Sequence, residues 1–320
     1  MLALVRWKRV GLVTAVVTAI LALLPQLVGS FALHVLTVSL YYTILAASWN
    51  LLAGFTGQFS LAQQAFAAIG AYTTGLLIYH YGTPMWLSMP AGVVVAAAFG
   101  YLLGRLVLKM RAIYLAIATW AFAETFRILL VADYDYTRGE LGLNVPALFH
   151  GVEPTPYYYT FAALTVVSVL AMYFLVKSPL GHFMRAIKDD ELRAGSLGVD
   201  TTRVKVLVFT VSSAFAGLAG VFYAHYLLVL SPELGDFNEM AKLIVMVVVG
   251  GLGSFAGPLI AAAPVEILTT YLQKYGEWDM VIYAILVIVL MRSYMGGLVA
   301  LAKAVRARLG AERAQEGAKP

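Results

Sequence analysis

Charged residues are scarce in this sequence, and cysteine is absent. Asp, Glu, Lys and Arg together make up 12% of the 320 residues, whereas a typical soluble domain carries about 25%. None of these four residue types occurs between Arg9 and Arg105. Without cysteine, the chain forms no disulfide framework and offers no thiol chemistry. The scarcity of charge excludes an ordinary soluble globular fold.

The patterns that bind metals and nucleotides are missing as well. No Gly-x-x-x-x-Gly-Lys phosphate loop occurs, and the five histidines do not stand at a metal-ligand spacing. We therefore expect this chain to bind no cofactor. The net charge of +5 does not indicate nucleic-acid binding, because Lys and Arg cluster in the gaps between apolar runs. The histidines are His34, His80, His150, His182 and His225.

Long apolar runs are what the sequence has in abundance. Hydrophobic residues make up 61% of the chain, and the charge-free interval alone has room for about four helical spans of roughly 20 residues each. The alternating segments of about ten residues that are typical of a membrane β-barrel are absent. The sequence thus predicts an all-α, polytopic integral membrane protein. Its predicted spans, about ten, are residues 10–29, 31–53, 60–80, 86–108, 112–132, 157–177, 204–230, 239–252, 256–273 and 278–295.

The N-terminal segment allows two interpretations. Arg6, Lys8 and Arg9 precede an apolar run over residues 10–24, and the small residue Ser30 follows it, as in a cleaved signal peptide. The same pattern fits a first span that is not removed, which we favour. Both interpretations place the following chain on the external side of the membrane.

The distribution of basic residues predicts the orientation. Lys and Arg prefer the cytoplasmic side of a membrane. All but four of the 22 lie in or beside the N-terminal tail, the turn around Lys109, the interval 178–205 and the C-terminal tail. We therefore predict that both termini and this interval are cytoplasmic. Residues 1–300 are predicted to form the transmembrane domain, and residues 301–320 a polar tail.

The interval 178–205 is the longest polar stretch, and it predicts an amphipathic helix on the membrane surface. A Ser-Pro pair at its start ends the preceding helix and favours a new one. Phe183, Ile187 and Leu192 follow at helical spacing among charged residues, and Gly198 permits a sharp exit. We hypothesise that this helix inserts into a soluble partner. A solvated connecting loop is the alternative.

Two glycine clusters interrupt the apolar runs, over residues 54–66 and 250–258. Such interruptions are tolerated where the backbone lines a cavity or is buried by protein, and paired ones mark substrate pathways in many transporters. One early and one late cluster also suggest an internal duplication, whereas ordinary interfacial turns are the alternative. The residues assigned to a substrate pathway are Asn50, Gly54, Gly57, Gln58, Gln63, Gln64, Gly250, Gly251, Gly253, Ser254 and Glu266.

Ionisable residues inside predicted spans are further candidates, because an unpaired charge there costs about 2.5–3.5 kcal/mol. Glu124 and Arg127 stand three residues apart on one helix, and we expect a structural pair. Glu266 has no evident partner in the sequence, so a helix–helix clamp and a pathway residue both stay open. We expect His34 and His225 to form hydrogen bonds between helices.

Four segments together resemble the permease subunits of branched-chain amino acid ABC importers. They are GFTGQFSLAQQAFAAIGAY (54–72), KMRAIYLAIATWAFAETFR (109–127), the whole stretch from SPLGHF to VFYA (178–224) and VVVGGLGSFAGPLIAA (247–262). The second segment, with the following TRGELGL, is similar to the LivM-type subunit rather than its LivH-type partner. The resemblance covers about residues 31–300.

The resemblance implies a prokaryotic cytoplasmic (inner) membrane importer. It would contain two permease subunits, two ATP-binding subunits that hold ATP and Mg²⁺, and an extracytoplasmic substrate-binding protein. The second permease is expected to be LivH-type, although hetero- and homodimeric pairing both stay open. Relatives carry leucine, isoleucine, valine, other amino acids, amides or urea, so the substrate stays open too. The resemblance implies coupling to an ATPase through residues 184–198, with Arg185, Lys188, Asp190, Glu191, Leu197 and Gly198.

We therefore interpret the chain as a permease subunit that forms half of a solute pathway and hydrolyses nothing itself. One alternative is an ion-driven secondary transporter, which would need a buried carboxylate pathway. Glu124 and Glu266 alone provide few carboxylates for such a pathway. A second alternative is an intramembrane enzyme, which would need converging catalytic groups that the scattered polar residues do not provide.

Overall fold

The computed structural model describes residues 2–110, 112–149 and 153–272, together with residues 285, 288 and 297. This part of the chain is mainly helical, and a π-helical turn over Leu51–Thr56 directly continues the second helix. The helices are α1 Leu2–Leu23, α2 Ser30–Asn50, α3 Gln63–Tyr81, α4 Met85–Val107, α5 Ala112–Ala132, α6 Tyr134–Thr137, α7 Thr155–Lys177, α8 Pro179–Asp189, α9 Glu191–Ser196, α10 Thr201–Leu227, α11 Phe237–Gly250 and α12 Gly257–Leu272. The strands are β1 Leu143–Asn144 and β2 Val229–Leu230.

The polytopic helical architecture predicted from the sequence is confirmed. Nine predicted spans each coincide with a helix to within several residues. Within the described ranges, five helices are long and apolar enough to cross a membrane, namely α2 with its π-helical turn, α4, α5, α7 and α10. The 14-residue α11 and the 16-residue α12 are shorter. The tenth predicted span, 278–295, and the polar tail fall outside the described stretches, so the count of ten stays a prediction.

The helix bundle has two distinct ends. At one end, α8 and α9 contact the last turn of α2, the end of α7 and the start of α10; we call this the α8 end. At the other end, β1 pairs antiparallel with β2, with Leu143 opposite Leu230. We call this second end the ribbon end. The ribbon covers the last part of α3, because a Cβ on Gly75 would lie 3.0 Å from the Leu143 side chain.

The centre of the bundle is a tight packing of α3, α4 and α10, built on glycine. A Cβ placed on Gly70 of α3 would lie 2.5 Å from the Gly217 carbonyl oxygen of α10. A Cβ on Gly220 of α10 would collide with the backbone of Ala67. Lipid tails are as apolar as leucine, so helices in a bilayer associate through such close backbone contact rather than by hydrophobic burial.

We predict that Gly220→Ala lowers the free energy of unfolding by about 1–3 kcal/mol, the usual cost of overpacking. The added methyl group must push α10 away from α3. Thermal unfolding of the purified protein in detergent would measure the loss. Gly29→Ala is the matched control, because a Cβ at Gly29 meets no atom within 4 Å. Equal melting temperatures for the two variants would contradict this account of the packing.

Candidate coupling and translocation sites

The interval 178–205 forms two helices, so the single amphipathic helix predicted from the sequence is wrong in detail. The chain breaks at Asp190, which adopts an extended backbone with φ −161° and ψ 105°. The Asp190 carboxylate accepts a hydrogen bond from the Arg193 backbone N–H and so caps α9. A continuous helix would lose this cap. Gly198, at φ +88°, then supplies the predicted exit.

The inner face of α8 is attached to the bundle by two basic residues. The Arg185 guanidinium donates a hydrogen bond to the Val176 carbonyl over 3.2 Å and lies 5.8 Å from the centre of the Phe55 ring. The Lys188 Nζ donates to the Gly54 carbonyl over 2.7 Å. Both side chains were assigned to ATPase coupling from the sequence. In the structure their charged ends contact the membrane domain.

A buried lysine fixes α9 in a similar way. Lys205, at the start of α10, is only 5% exposed. Its Nζ donates to the Leu108 carbonyl over 2.9 Å and to Glu191 Oε1 over 2.6 Å. A buried ammonium needs such partners, because desolvation without them is costly. Glu191, another predicted coupling residue, therefore joins α9 to α10 and to the end of α4.

The outer face of this pair of helices carries two exposed leucines among polar residues. Leu192 is 85% exposed and Leu197 is 86% exposed, and no atom lies within 4 Å of a Cβ placed on Gly198. Two leucines so fully exposed on a polar segment are suited to contact a partner protein. Leu197 and Gly198 are thus the predicted coupling residues that face away from the bundle.

The two glycine clusters meet at the α8 end, although about 200 residues separate them in the sequence. The Asn50 side chain joins them, since its Nδ2 donates to the Ser254 carbonyl and its Oδ1 accepts from the Gly253 N–H, each over 2.9 Å. A Cβ on Gly54 would lie 2.7 Å from the Gly253 nitrogen. We call Asn50, Gly54, Gly253 and Ser254 the glycine junction. Lys188 binds at this junction.

Other predicted pathway residues lie beside the junction. Gly57, at φ +73°, lies under the Lys188 backbone. Gly250 packs against Gly257 at the turn between α11 and α12, and Gly251 follows it at φ +113°. The Gln58 amide makes only a long contact of 3.5 Å with a neighbouring carbonyl.

Gln63 and Gln64 lie apart from the junction and tie helices together. Gln63 Nε2 donates to Ser48 Oγ over 2.7 Å and to the Ser212 carbonyl over 3.3 Å. Gln64 accepts from the Tyr41 hydroxyl and donates to the Glu239 carbonyl, each over 3.3 Å. Both glutamines are buried. Most of the pathway residues predicted from the sequence therefore lie at or beside the glycine junction. Gln63 and Gln64 instead form separate buried contacts between helices, and Glu266 lies in another part of the bundle.

Glu266 belongs to a charged cluster that the sequence reading missed. Lys242 Nζ lies 3.4 Å from Glu266 Oε2 and 3.1 Å from Glu239 Oε2. The Tyr42 hydroxyl donates a hydrogen bond to Glu239, and Lys242 Nζ lies 4.1 Å from the centre of the Tyr42 ring. Glu239 and Lys242 stand three residues apart on α11, and this spacing in the sequence could have predicted their ion pair. We call these four residues the charged cluster.

A cavity of about 490 Å³ extends from the charged cluster toward the ribbon end. Helices α2, α10, α11 and α12 and the segment after α10 form its wall. Glu233, which is exposed, lies at its rim. The lining residues are Phe31, His34, Val35, Val38, Tyr42, Tyr223, Leu227, Val229, Ser231, Glu233, Leu234, Glu239, Lys242, Glu266 and Thr270.

The other ionisable residues that were expected to have structural roles form ion pairs or hydrogen bonds within the protein. They are Glu124, Arg127, His34 and His225. The Arg127 guanidinium binds Glu124 Oε1 over 2.5 Å. His34 Nδ1 of α2 lies 2.5 Å from the Tyr226 hydroxyl of α10. His225 Nε2 of α10 lies 3.5 Å from Thr74 Oγ1 of α3, and its Nδ1 lies 2.8 Å from the Pro146 carbonyl oxygen of a loop. Among the residues placed by the structure, no group of three His, Asp or Glu side chains is suited to hold a metal ion.

We predict that Asn50→Ala increases amide hydrogen exchange of residues 251–254 by about 5–150-fold. The substitution removes two hydrogen bonds across the glycine junction, each contributing about 0.5–1.5 kcal/mol. Asn50→Asp, which keeps the acceptor for the Gly253 N–H, should show a smaller increase. Exchange measured by mass spectrometry on the purified protein checks both. Unchanged exchange in Asn50→Ala would mean that the junction does not depend on this side chain.

Comparison with known proteins identifies the family. Residues 31–291 match the family described as branched-chain amino acid transport system / permease component. The chain is 34% identical to the high-affinity branched-chain amino acid transport system permease protein LivM of Salmonella typhimurium, over 83% of this chain and 69% of the relative. It is 27% identical to LivH of Escherichia coli, over 78% and 88%. It is 24% identical to the fructose import permease protein FrcC of Rhizobium meliloti, over 73% and 69%.

No solved structure gives a significant match. The family match nevertheless spans well over half of the chain, and it includes the glycine junction, α8, α9 and the charged cluster. This protein is a member of the permease family of branched-chain amino acid transport systems.

Proposed function

We propose that this chain is one permease subunit of an ATP-driven importer and forms half of its solute pathway. The observation that carries the proposal is the hydrogen bond from Lys188 of α8 to the Gly54 carbonyl at the glycine junction. It connects a surface helix directly to the point where α2 meets the turn between α11 and α12. Movement of α8 would therefore act on helices that line the cavity.

The coupling surface is the exposed side of α8 and α9. An ATPase subunit would contact Leu192 and Leu197, while Arg185, Lys188 and Glu191 hold the two helices on the bundle. Asp190 contributes by capping α9. ATP and Mg²⁺ would bind to the ATPase subunits and not to this chain. In this arrangement the permease supplies the moving path, and its partner supplies the energy.

The α8 end is assigned to the cytoplasm of a prokaryotic cell, and the protein to its inner membrane. Basic residues of α8, α9 and the start of α10 support this orientation. With ten spans, both termini would also be cytoplasmic. The ribbon end would then face a substrate-binding protein outside. A second permease, of LivH type, would complete the pathway.

The substrate class is a branched-chain or other hydrophobic amino acid. The support is the similarity to LivM, which exceeds that to the fructose permease. The cavity combines apolar side chains with charged ones, as a zwitterion with an apolar side chain requires. Other amino acids, amides and urea are the alternatives.

An ion-driven transporter is the second candidate, because the charged cluster provides the buried carboxylates that such a carrier needs. Liposomes containing this chain without ATPase subunits would distinguish the two. We expect no uptake of labelled leucine under a proton or sodium gradient. ATP-dependent uptake should appear when the second permease, the ATPase subunits and the binding protein are added. Uptake driven by a gradient alone would contradict the ATP-driven importer and support the ion-driven transporter.

We predict that the double variant Leu192→Asp, Leu197→Asp loses the ATPase subunits. Placing two charges in an apolar contact should lower the amount of co-purifying ATPase about tenfold or more, because central interface residues each contribute 1 kcal/mol or more. Affinity purification of the co-expressed complex gives the measurement. Leu141→Asp, at an exposed leucine of the ribbon end, is the matched control. Retention of the ATPase by the double variant would contradict the proposed docking surface.

We predict that Lys188→Met uncouples the complex without dissociating it. The variant removes a charge-assisted hydrogen bond at the glycine junction but leaves the exposed leucines intact. Uptake per ATP hydrolysed should fall about tenfold or more, while ATPase co-purification stays normal. Both are measured on the reconstituted complex. Arg105→Met, which removes an exposed charge from the last turn of α4, should leave coupling unchanged. Loss of the ATPase in Lys188→Met would show that Lys188 is a docking residue instead.

A further inference from the structure

The charged cluster lies beside the middle of α2, a helix that is long and apolar enough to cross a membrane. Tyr42 is twelve residues from the start of α2, which is about 18 Å along the helix, and the apolar core of a bilayer is about 30 Å thick. The Lys242 side chain is 12% exposed and that of Glu266 is 8% exposed. Charges at this depth are costly and generally serve function.

Among the described residues, the cluster carries more carboxylates than ammonium groups. Glu239 and Glu266 both face the ammonium group of Lys242, and Glu233 adds a further carboxylate at the cavity rim. The buried Oε2 of Glu266 accepts no well-directed hydrogen bond from the described residues, although Lys242 lies 3.4 Å away. The cavity is therefore arranged to receive an additional cationic group.

The other side of the cavity is apolar. Val35 and Val38 of α2, Leu227 of α10 and Leu234 line it together with the charged groups. Small-molecule sites typically combine such an apolar lining with a few convergent polar groups. The cavity volume of about 490 Å³ lies within the usual range of about 300–1,000 Å³ for such sites.

We propose that this cavity is a substrate-binding site within the permease, at which Glu266 binds the α-ammonium group of an amino acid. The α-carboxylate lies next to Lys242, and the side chain packs on Val35 and Val38. Each charge of the zwitterion then faces an opposite charge of the cluster. The assignment rests on the proposed importer function, and it locates the step at which this chain itself contacts the substrate.

The absence of cysteine from the chain allows a direct test by thiol labelling. Ser231→Cys places one thiol in the cavity wall, and Leu141→Cys places one on the exposed ribbon end outside it. The assembled complex, without binding protein, is reacted with a small thiol reagent in the presence of leucine, isoleucine or valine. We expect these amino acids to slow labelling of Ser231→Cys and to leave Leu141→Cys unaffected.

The role of Glu266 is tested in the Ser231→Cys background. Glu266→Gln should raise the leucine concentration needed for half-protection about tenfold or more, because it removes a charge-assisted contact. Glu124→Gln is the matched control, since that carboxylate pairs with Arg127 outside the cavity, and it should leave protection unchanged. Glu266→Asp, which keeps the charge, should retain partial protection and guards against a folding defect. The 2-oxo acid of leucine, which lacks the ammonium group, should protect weakly.

Four outcomes would overturn the proposal. Equal protection by leucine and its oxo acid would leave only an apolar site, and unchanged protection in Glu266→Gln would remove the carboxylate from recognition. Protection by sodium ions alone would indicate an inorganic cation site. If the complete complex imports leucine but shows no protection, this site is wrong and the importer stands. If the complete complex imports no leucine, isoleucine or valine, the proposed substrate class fails first.

Discussion

The hydrogen bond from Lys188 to Gly54 joins the surface helix α8 to the glycine junction of the bundle. It exists because two glycine turns approach closely enough to leave no room for a side chain, as the contact of Gly54 with Gly253 shows. The π-helical turn after α2 presents the Gly54 carbonyl to the lysine, and such turns are frequent at functional sites. Without this close approach, α8 would lose its contact with the glycine junction, although Arg185 would still bind the end of α7.

Helix α2 connects the two polar sites of the molecule. Its residues from Thr37 to Asn50, and the π-helical turn that follows, are buried. Asn50 takes part in the glycine junction, and Tyr42 contacts the charged cluster eight residues earlier, about 12 Å along the axis. The residues between them include the fully buried Leu45 and Trp49. A tightly packed helix has few voids around it, so we expect a shift at the junction to reach the cavity.

Both the charged cluster and the glycine packing reflect the lack of water inside a bilayer. Inside a bilayer there is no water to satisfy a polar group, so each one is paired within the protein or lines a cavity. Gln63 and Arg127 are paired within the protein, with partners in neighbouring turns or helices. Glu266 instead lines the cavity, and it shares Lys242 with Glu239. The glycines meanwhile provide the backbone contact that apolar side chains alone do not give in lipid.

The sequence by itself determined the helical membrane architecture, the approximate ends of nine helices, the Glu124–Arg127 pair and the exit at Gly198. These features depend on local composition, and residues a few positions apart along one chain segment define them. The tertiary structure decided how distant segments combine. Only folding brings Asn50 to Ser254, Lys188 to Gly54 and Glu266 to Lys242, and only folding turns Arg185 and Glu191 toward the bundle while Leu192 and Leu197 stay exposed. The break at Asp190 was also hidden, because an Asp that caps one helix and an Asp inside a longer helix look alike until the backbone direction is known.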